Sequence, residues 1–493
     1  MIEPVNTLTL FSTFMIPFVS GLLLFLLDGR VADIVMLSSS GATSALQALI
    51  TLEAYLTGYR AEHITLLKST QLGEVFGFII DPLSVSVGFV VATAGFAFML
   101  YSVKYMTPEN KQHPVHKGKG RFYGWMMIFI GTTLAFLYSS TLIQLLMFFE
   151  LMSISCWGVV SYYMEPESIR ASYKALITTH LGALIGLFTA ISYCIGSGIS
   201  TSLYSLSHLP SDAKLVIYVA VMIAALAKSA QFPFYSWLPD AMVAPTPASA
   251  FLHGAAMVEM GVVLLARVIQ FMQPLPSVAG LILAVFVTLT FFTVSYMLLP
   301  QRDAKRLLAY STIAESASMY AGLVAASAGY VIGLRAAIFL LLVHAYVKGL
   351  AFLTAGLYSH YLGTLDMGRI KGLMSRSKFT AFSWAFSLLG LAAVPPMPVF
   401  FGEVFIVLSL LTALVTHPYA LYPLLGLFTY VIVFFMVALK WLHSMLLTEA
   451  EGGRFRLSWV FVASMLILIV LALASPALTI GFVNNIQVGG VAG

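Results

Sequence analysis

The sequence predicts an all-α polytopic membrane protein of about fourteen transmembrane helices, built as two inverted five-helix repeats in which helices 7 and 12 are broken. Three observations predict it. Of 493 residues 60% are hydrophobic and only 9% charged, with a mean hydropathy of +0.95, which excludes a soluble domain. Apolar stretches of about 20 residues, enough to cross a bilayer, recur along the whole chain. Two proline clusters interrupt such stretches beside charged residues, one in each half.

The expected spans lie near 6–28, 31–56, 78–103, 121–140, 141–163, 170–195, 213–231, 246–272, 277–299, 305–328, 331–359, 379–413, 419–444 and 457–482. The segments 104–121 and 60–73 read as polar loops, and no separate soluble domain or cleavable leader is expected. Helices up to residue 110 form an N-terminal three-helix segment. The repeats occupy 121–272 and 277–446, and 457–493 is a C-terminal helix. Cys156 and Cys194 stand far apart, so neither a disulfide framework nor a thiolate metal site is expected.

Basic residues set the orientation. With the N-terminus outside, about sixteen fall in inside linkers, among them Lys104, Lys117, Lys119, Arg302, Lys305 and Arg306. Only Arg60, Lys68 and Lys214 fall outside. The asymmetry puts loop 104–121 in the cytoplasm of a cell membrane and both termini outside.

Removing those linker charges leaves Glu150, Lys174, Lys228, Glu259, Glu315, Lys348 and Glu403 at membrane depth, with His180, His253, His344 and, near a helix end, Lys440. Each ionisable group at mid-membrane costs at least a few kcal/mol unless it faces protein or water. For Lys174 and Lys440 the alternative is snorkelling from a helix end. Arg267 and Arg335 read as helix-end residues without a role. Charges of alternating sign on seven helices are most simply explained by one polar axis through the protein.

The stretch "LAKSAQFPFYSWLPDAMVAPTP" sets Lys228 just before Pro233, Pro239, Pro245 and Pro247, which no continuous helix accommodates. "PPMP" at 395–398 does the same just before Glu403. Freed carbonyls are tolerated in a bilayer only where protein or cavity water satisfies them. Paired breaks beside charges point to a transporter with inverted repeats, spans four to eight matching nine to thirteen.

The stretches "LLMFFELMSISCWGVVSYY", "LAKSAQFPFYSWLPDAMVAPTPASAFLHGAAMV", "RLLAYSTIAESASMYAGL", "HAYVKGLAFLTAGLYSH" and "LGLAAVPPMPVFFGE" resemble signature helices of the antiporter-like membrane subunits. That family is shared by respiratory complex I, Mrp-type sodium/proton antiporters and membrane-bound, energy-converting hydrogenases, and the resemblance covers about residues 75 to 410. It implies that Glu150 pairs with Lys228 and that His253 links the two halves. It also implies roles for His344 and Lys348 on one face of the eleventh helix and for Glu403 on the twelfth. In the family these groups form a hydrated chain across the midplane.

The chemistry is sensible in its own right. Burial loosens a lysine's hold on its proton and a nearby carboxylate restores it. At about 6–7 Å and an effective dielectric near 20, the attraction is about 2.5 kcal/mol, enough to switch a donor into a holder. Histidine suits the links between such switches. His180 falls outside the family pattern and reads as a satisfied interhelical hydrogen bond.

Two positions depart from the family. Glu259 stands where most relatives carry lysine and Glu315 where glutamine is common, so both are secondary candidates with Lys174. On one continuous helix Glu259 would lie about 120° from His253, off its face. A lysine partner on another helix is the favoured role for it, with a cation site as the alternative.

The expectation is therefore a proton- or sodium-translocating subunit of a complex I-related oxidoreductase, such as a hydrogenase or an NADH/quinone dehydrogenase. No cofactor of its own and no nucleic acid are expected. Partners would be other antiporter-like subunits and iron–sulfur or hydrogenase-like proteins. The alternatives are a Mrp-type antiporter subunit without a redox module, and a non-pumping scaffold that keeps the charges as structural pairs.

Overall fold

The computed structural model describes residues 7–59, 61–449 and 453–487. Arg60 and both chain ends, invoked for the orientation, lie outside the described residues. The helices of the N-terminal third are α1 Thr7–Leu24, α2 Gly29–Leu56, α3 Pro82–Tyr105, α4 Lys119–Leu137 and α5 Leu142–Val160. Next come α6 Pro166–Ala183, α7 Thr189–Gly196, α8 Ser211–Lys228, α9 Trp237–Asp240, α10 Thr246–Gly254 and α11 Met257–Met272. The second half holds α12 Ser277–Leu298, α13 Ala304–Ser327, α14 Val331–Leu357 and α15 Leu373–Arg376. It closes with α16 Lys378–Leu391, α17 Pro398–Leu414, α18 Leu421–Leu446 and α19 Trp459–Asn484.

Ten helical segments among the described residues are long and apolar enough to cross a membrane. The other expected stretches correspond to α4, α8, α13 and the pair α16–α17. The chain is not wholly helical. Strands β1 Glu62–Ser69 and β2 Gly73–Ile80 form an antiparallel hairpin where a loop was expected, so the third span begins at Pro82 rather than near 78. Gly73 (φ 70) makes its tight turn possible. Glu74 pins the hairpin down: it accepts from His63 Nε2, Ser140 Oγ and Ser202 Oγ, each at 2.8 Å.

The linkers fall into two hydrogen-bonded sets, as alternating helices require. In one set the hairpin touches Ser139, Thr141 bridges Ser202, and Lys214 Nζ donates to Pro274 O. In the other, Asp303 bridges Asp366, Lys111 N donates to His360 O, and Asp240 pairs with both Lys174 and Arg306.

Both proline-rich breaks appear where expected and match in detail. Ala230 (φ 51) and Ala393 (φ 52) occupy the same place in each, an offset of 393 − 230 = 163. At that offset Lys228 corresponds to Leu391 and Glu403 to Asp240. The two charges therefore stand on opposite sides of corresponding breaks rather than in equivalent positions. Freed backbone groups at the first break are provided for: Trp237 Nε1 donates to Ala227 O, Gln231 Nε2 to Ser229 O and Ile313 O, and Thr290 Oγ1 accepts from Phe232 N.

A third break was not expected. The stretch 246–272 is two helices, α10 and α11, parted at Ala255 and Ala256, and Ser229 Oγ donates at 2.6 Å to Val258 O beside the gap. These helices, and α14 beyond its first turns, are enclosed by the others, whereas more than half the residues in the apolar stretches of α2, α12, α18 and α19 are not buried. The enclosed helices carry His253, Glu259, His344 and Lys348, which is where the cost of intramembrane charge requires such groups to be.

Candidate ion-translocation site

The residues expected to form one axis gather into two clusters. The first is built from α5, α6 and α8. Lys228, wholly buried at the end of α8, donates to Phe149 O and Ser153 Oγ, both at 2.8 Å, and its ammonium lies 3.9 Å from the centre of the Phe149 ring. The direct Glu150–Lys228 pair implied by the resemblance is not formed. Glu150 instead meets His180 Nδ1 at 2.9 Å, although it acts on Lys228 electrostatically. His180, read from sequence as a bland interhelical bond, is thus the direct partner of Glu150. The side chains of Glu150 and His180 are 24% and 49% exposed on the chain's outer surface.

Lys174 does not join this cluster. It pairs with Asp240 at 2.7 Å among the linkers, as a helix-end lysine does. Lys440 is likewise peripheral, its ammonium 4.8 Å from the Trp441 ring centre.

The second cluster contains the remaining candidates. His344 and Glu259 approach to 3.7 Å, both fully buried. Lys348, one turn along α14 from His344, donates to Ser311 Oγ at 2.6 Å and Leu308 O at 3.5 Å. This repeats the cradle of Lys228, a serine hydroxyl and a helix carbonyl. Lys348 acts electrostatically on Glu259, Glu315 and His253. Glu315 accepts from Tyr430 OH at 3.0 Å, and Glu403 lies beside Glu315 and Ser318. Six titratable side chains from α10, α11, α13, α14 and α17 are thus buried together and linked neighbour to neighbour through Lys348 and Glu315.

Glu259 was expected to face away from His253 and to pair with a lysine. That orientation holds only on one continuous helix, and the chain breaks at Ala255–Ala256 between the two residues. Its contact is with His344, and Lys348 acts on it electrostatically. Between Lys228 and His253 no hydrogen bond or ion pair joins the clusters among the described residues. Ser229 and Tyr320, bonded to each other at 2.9 Å, lie on the α8 and α13 sides of that gap.

Two residues were misjudged from the sequence. Arg267 is not an idle helix-end residue: it is buried and grips Asp81 with both guanidinium nitrogens at 2.6 and 2.8 Å, with Gln270 completing the site. Lys305, counted as a linker charge, is also buried. Its neighbours Arg302 and Arg306 in "QRDAKR" hid it, because the linker reading suits all three alike. Among the described residues no group of three or more His, Cys, Asp or Glu is arranged to hold a metal ion.

Broken helices beside titratable side chains at membrane depth, one cluster buried and the other reaching the outer surface, are features of membrane transporters. The family model described as NADH:quinone oxidoreductase/Mrp antiporter, TM, matches residues 139–432, and that described as NADH-Ubiquinone oxidoreductase (complex I), chain 5 N-terminus, matches 67–123. The chain belongs to this antiporter-like membrane subunit family. It is 33% identical over 367 residues to a Na(+)/H(+) antiporter subunit of Alkalihalophilus pseudofirmus, covering 70% of this chain and 44% of that protein. It is 32% identical over 348 residues to the chloroplastic NAD(P)H-quinone oxidoreductase subunit 5 of Dampiera diversifolia, covering 66% and 45%. The chain thus spans under half the length of these curated relatives.

Among solved structures, the fold matches a chain of the archaeal membrane-bound sulfane sulfur reductase with a TM-score of 0.83 at 19% identity, covering 97% of each chain. A chain of respiratory complex I from Thermus thermophilus gives 0.82 at 21% identity, covering 97% of this chain and 98% of that one. A chain of the Mrp complex from Dietzia gives 0.81 at 16% identity, covering 98% of each.

Proposed function

We propose that the chain is a proton- or sodium-translocating subunit of a multisubunit membrane complex, and that its two titratable clusters are the path. One observation carries the reading. Six titratable side chains are buried in the interior of the helix bundle, linked neighbour to neighbour through Lys348 and Glu315, an arrangement that stability alone does not favour. Glu150, Lys228 and His180 form one switch. His253, His344, Lys348, Glu315 and Glu403 form a second, with Glu259 part of it.

The matched breaks support inverted repeats at 121–272 and 277–446, flanked by the N-terminal helices and the helix after 457. The lysine and arginine asymmetry supports the linker set around 104–121 facing the cytoplasm, both termini facing outside, and residence in the cell membrane. Partner subunits would supply either redox energy, as in a complex I-related oxidoreductase with iron–sulfur or hydrogenase-like proteins, or an opposing cation gradient. The likeness to the Na(+)/H(+) antiporter protein favours the second as strongly as the likeness to quinone oxidoreductase subunit 5 favours the first.

Purification from the native membrane tests this. The chain is expected to emerge with other membrane subunits and to move protons or sodium in liposomes. A chain that purifies alone and moves neither ion overturns the reading, and the identity of copurifying chains separates the redox from the antiporter form.

A further inference from the structure

A cavity of about 610 Å³ opens among the linkers of the 104–121 side, walled by Asp240, Asp303, Lys174 and Arg306 and floored by Tyr105, Thr246 and Lys305. At its floor Lys305 is only 3% exposed. Its ammonium donates to Met242 O at 2.8 Å and Ala244 O at 2.6 Å. Those carbonyls belong to the short segment between α9 and α10, where Pro245, like Pro247 in the first turn of α10, has no amide hydrogen to offer and the helical ladder is interrupted. Two charge-assisted bonds from one lysine close that segment across the cavity floor.

Behind the floor α10 begins. Thr246, Ser249 and His253 follow at i, i+3 and i+7, so they line one face of the helix, with His253 about 10 Å above Thr246. Thr246 Oγ1 donates to Tyr105 OH at 3.0 Å, and Tyr105 OH in turn meets Ser359 Oγ at 3.1 Å. Ser249 Oγ and both ring nitrogens of His253 are fully buried and have no hydrogen-bond partner among the described residues. Buried polar groups in native proteins are almost always bonded, to water where protein does not serve. A stripe of such groups on an otherwise apolar helix is suited to a wetted path. It ends at the histidine that Lys348 and Lys305 both reach electrostatically.

We propose that Lys305 is the positioning residue of an entry path, a clasp that holds the 241–245 segment between the cavity and the Thr246–Ser249–His253 stripe. This deepens the transport reading and rests on it. Lys305 need not carry the ion. It determines whether water and protons from the cavity reach His253.

The test uses the purified complex in liposomes, with Cys156→Ala and Cys194→Ala as background and Ser249→Cys as reporter. A small membrane-impermeant thiosulfonate is added on the cavity side. With Lys305 present Cys at 249 should react slowly. Lys305→Met should raise that rate at least tenfold, and Lys305→Arg, which keeps the donors, should restore protection. A second reporter, Ser383→Cys, buried in α16, should stay protected in all three, which separates an opened clasp from general loosening. If Lys305→Met does not assemble, Lys305→Gln, shorter and uncharged, carries the same expectation. Equal reactivity at position 249 with and without Lys305, or loss of protection at both reporters, overturns the proposal. Absence of ion flux in the complex with native Lys305 would instead overturn the transport reading, whatever the labelling shows.

Discussion

Replacing Lys228 by methionine separates a transport role from a structural one. Methionine fills nearly the same buried volume, so no cavity opens. The change removes two hydrogen bonds, but Phe149 O also accepts from Ser153 Oγ, and Ser153 is still engaged by Thr179. The cost of burying a lysine disappears with it. Exchanging a buried ion for a well-packed apolar side chain is often neutral or stabilising, so stability should change by no more than about 2 kcal/mol. Transport should respond very differently. A proton at that depth with no side chain to hold it costs at least about 3 kcal/mol, which at about 1.4 kcal/mol per tenfold is a hundredfold loss of rate. The assay is ion flux per assembled complex in liposomes, alongside thermal unfolding of the same sample. Flux within threefold of wild type, in a complex that assembles normally, would refute the reasoning. So would a loss of stability large enough to account for the missing flux.

Glu259→Gln should slow transport about tenfold without shifting its sodium dependence, because the carboxylate meets His344, under the influence of Lys348, rather than a built cation site. A changed sodium-response curve in the assembled variant would show otherwise. Arg267→Met should cost about 3–5 kcal/mol and with it assembly, since it leaves Asp81 ionised, buried and without its bidentate partner; normal yield and melting temperature would contradict this. At Glu74 burial pushes the carboxyl upward, but the bonds from His63, Ser202 and Ser140 outweigh it and hold the group below its ordinary value. A carboxyl depressed in the folded state stabilises above its unfolded value and loses that contribution as pH falls through the folded one. Amide-exchange protection of the hairpin should therefore hold at neutral pH and weaken only below about pH 4, and Glu74→Gln should abolish that dependence.

Legibility in the sequence followed the strength of each physical signal. Proline announces a helix break because it removes a donor and collides with the preceding turn, so the breaks after Lys228 and before Glu403 were plain. The break at Ala255–Ala256 has no proline. Alanine favours a helix, and only Gly254 marks the place, so Glu259 was given an orientation that a continuous helix would impose. The hairpin was missed because the apolar run "FGFII" in β2 reads as the start of the next span. Charges at membrane depth were legible as a set because each is costly there. Their partners were not, since Glu150 meeting His180 and Arg267 meeting Asp81 depend on which helices adjoin. Lys305 shows the limit of counting linker charges: three basic residues within five positions look alike, and the fold buries one.

The central claim, that the two titratable clusters carry the ion, rests most heavily on Lys348, which acts on His253, Glu259 and Glu315. The purified complex in liposomes, with pH- and sodium-sensitive dyes inside, reports both ions at once. The native complex is expected to show flux of one of them, and Lys348→Met to abolish it while subunit composition and melting temperature hold. A Lys348→Met complex that assembles fully and moves ions at the native rate would contradict the account.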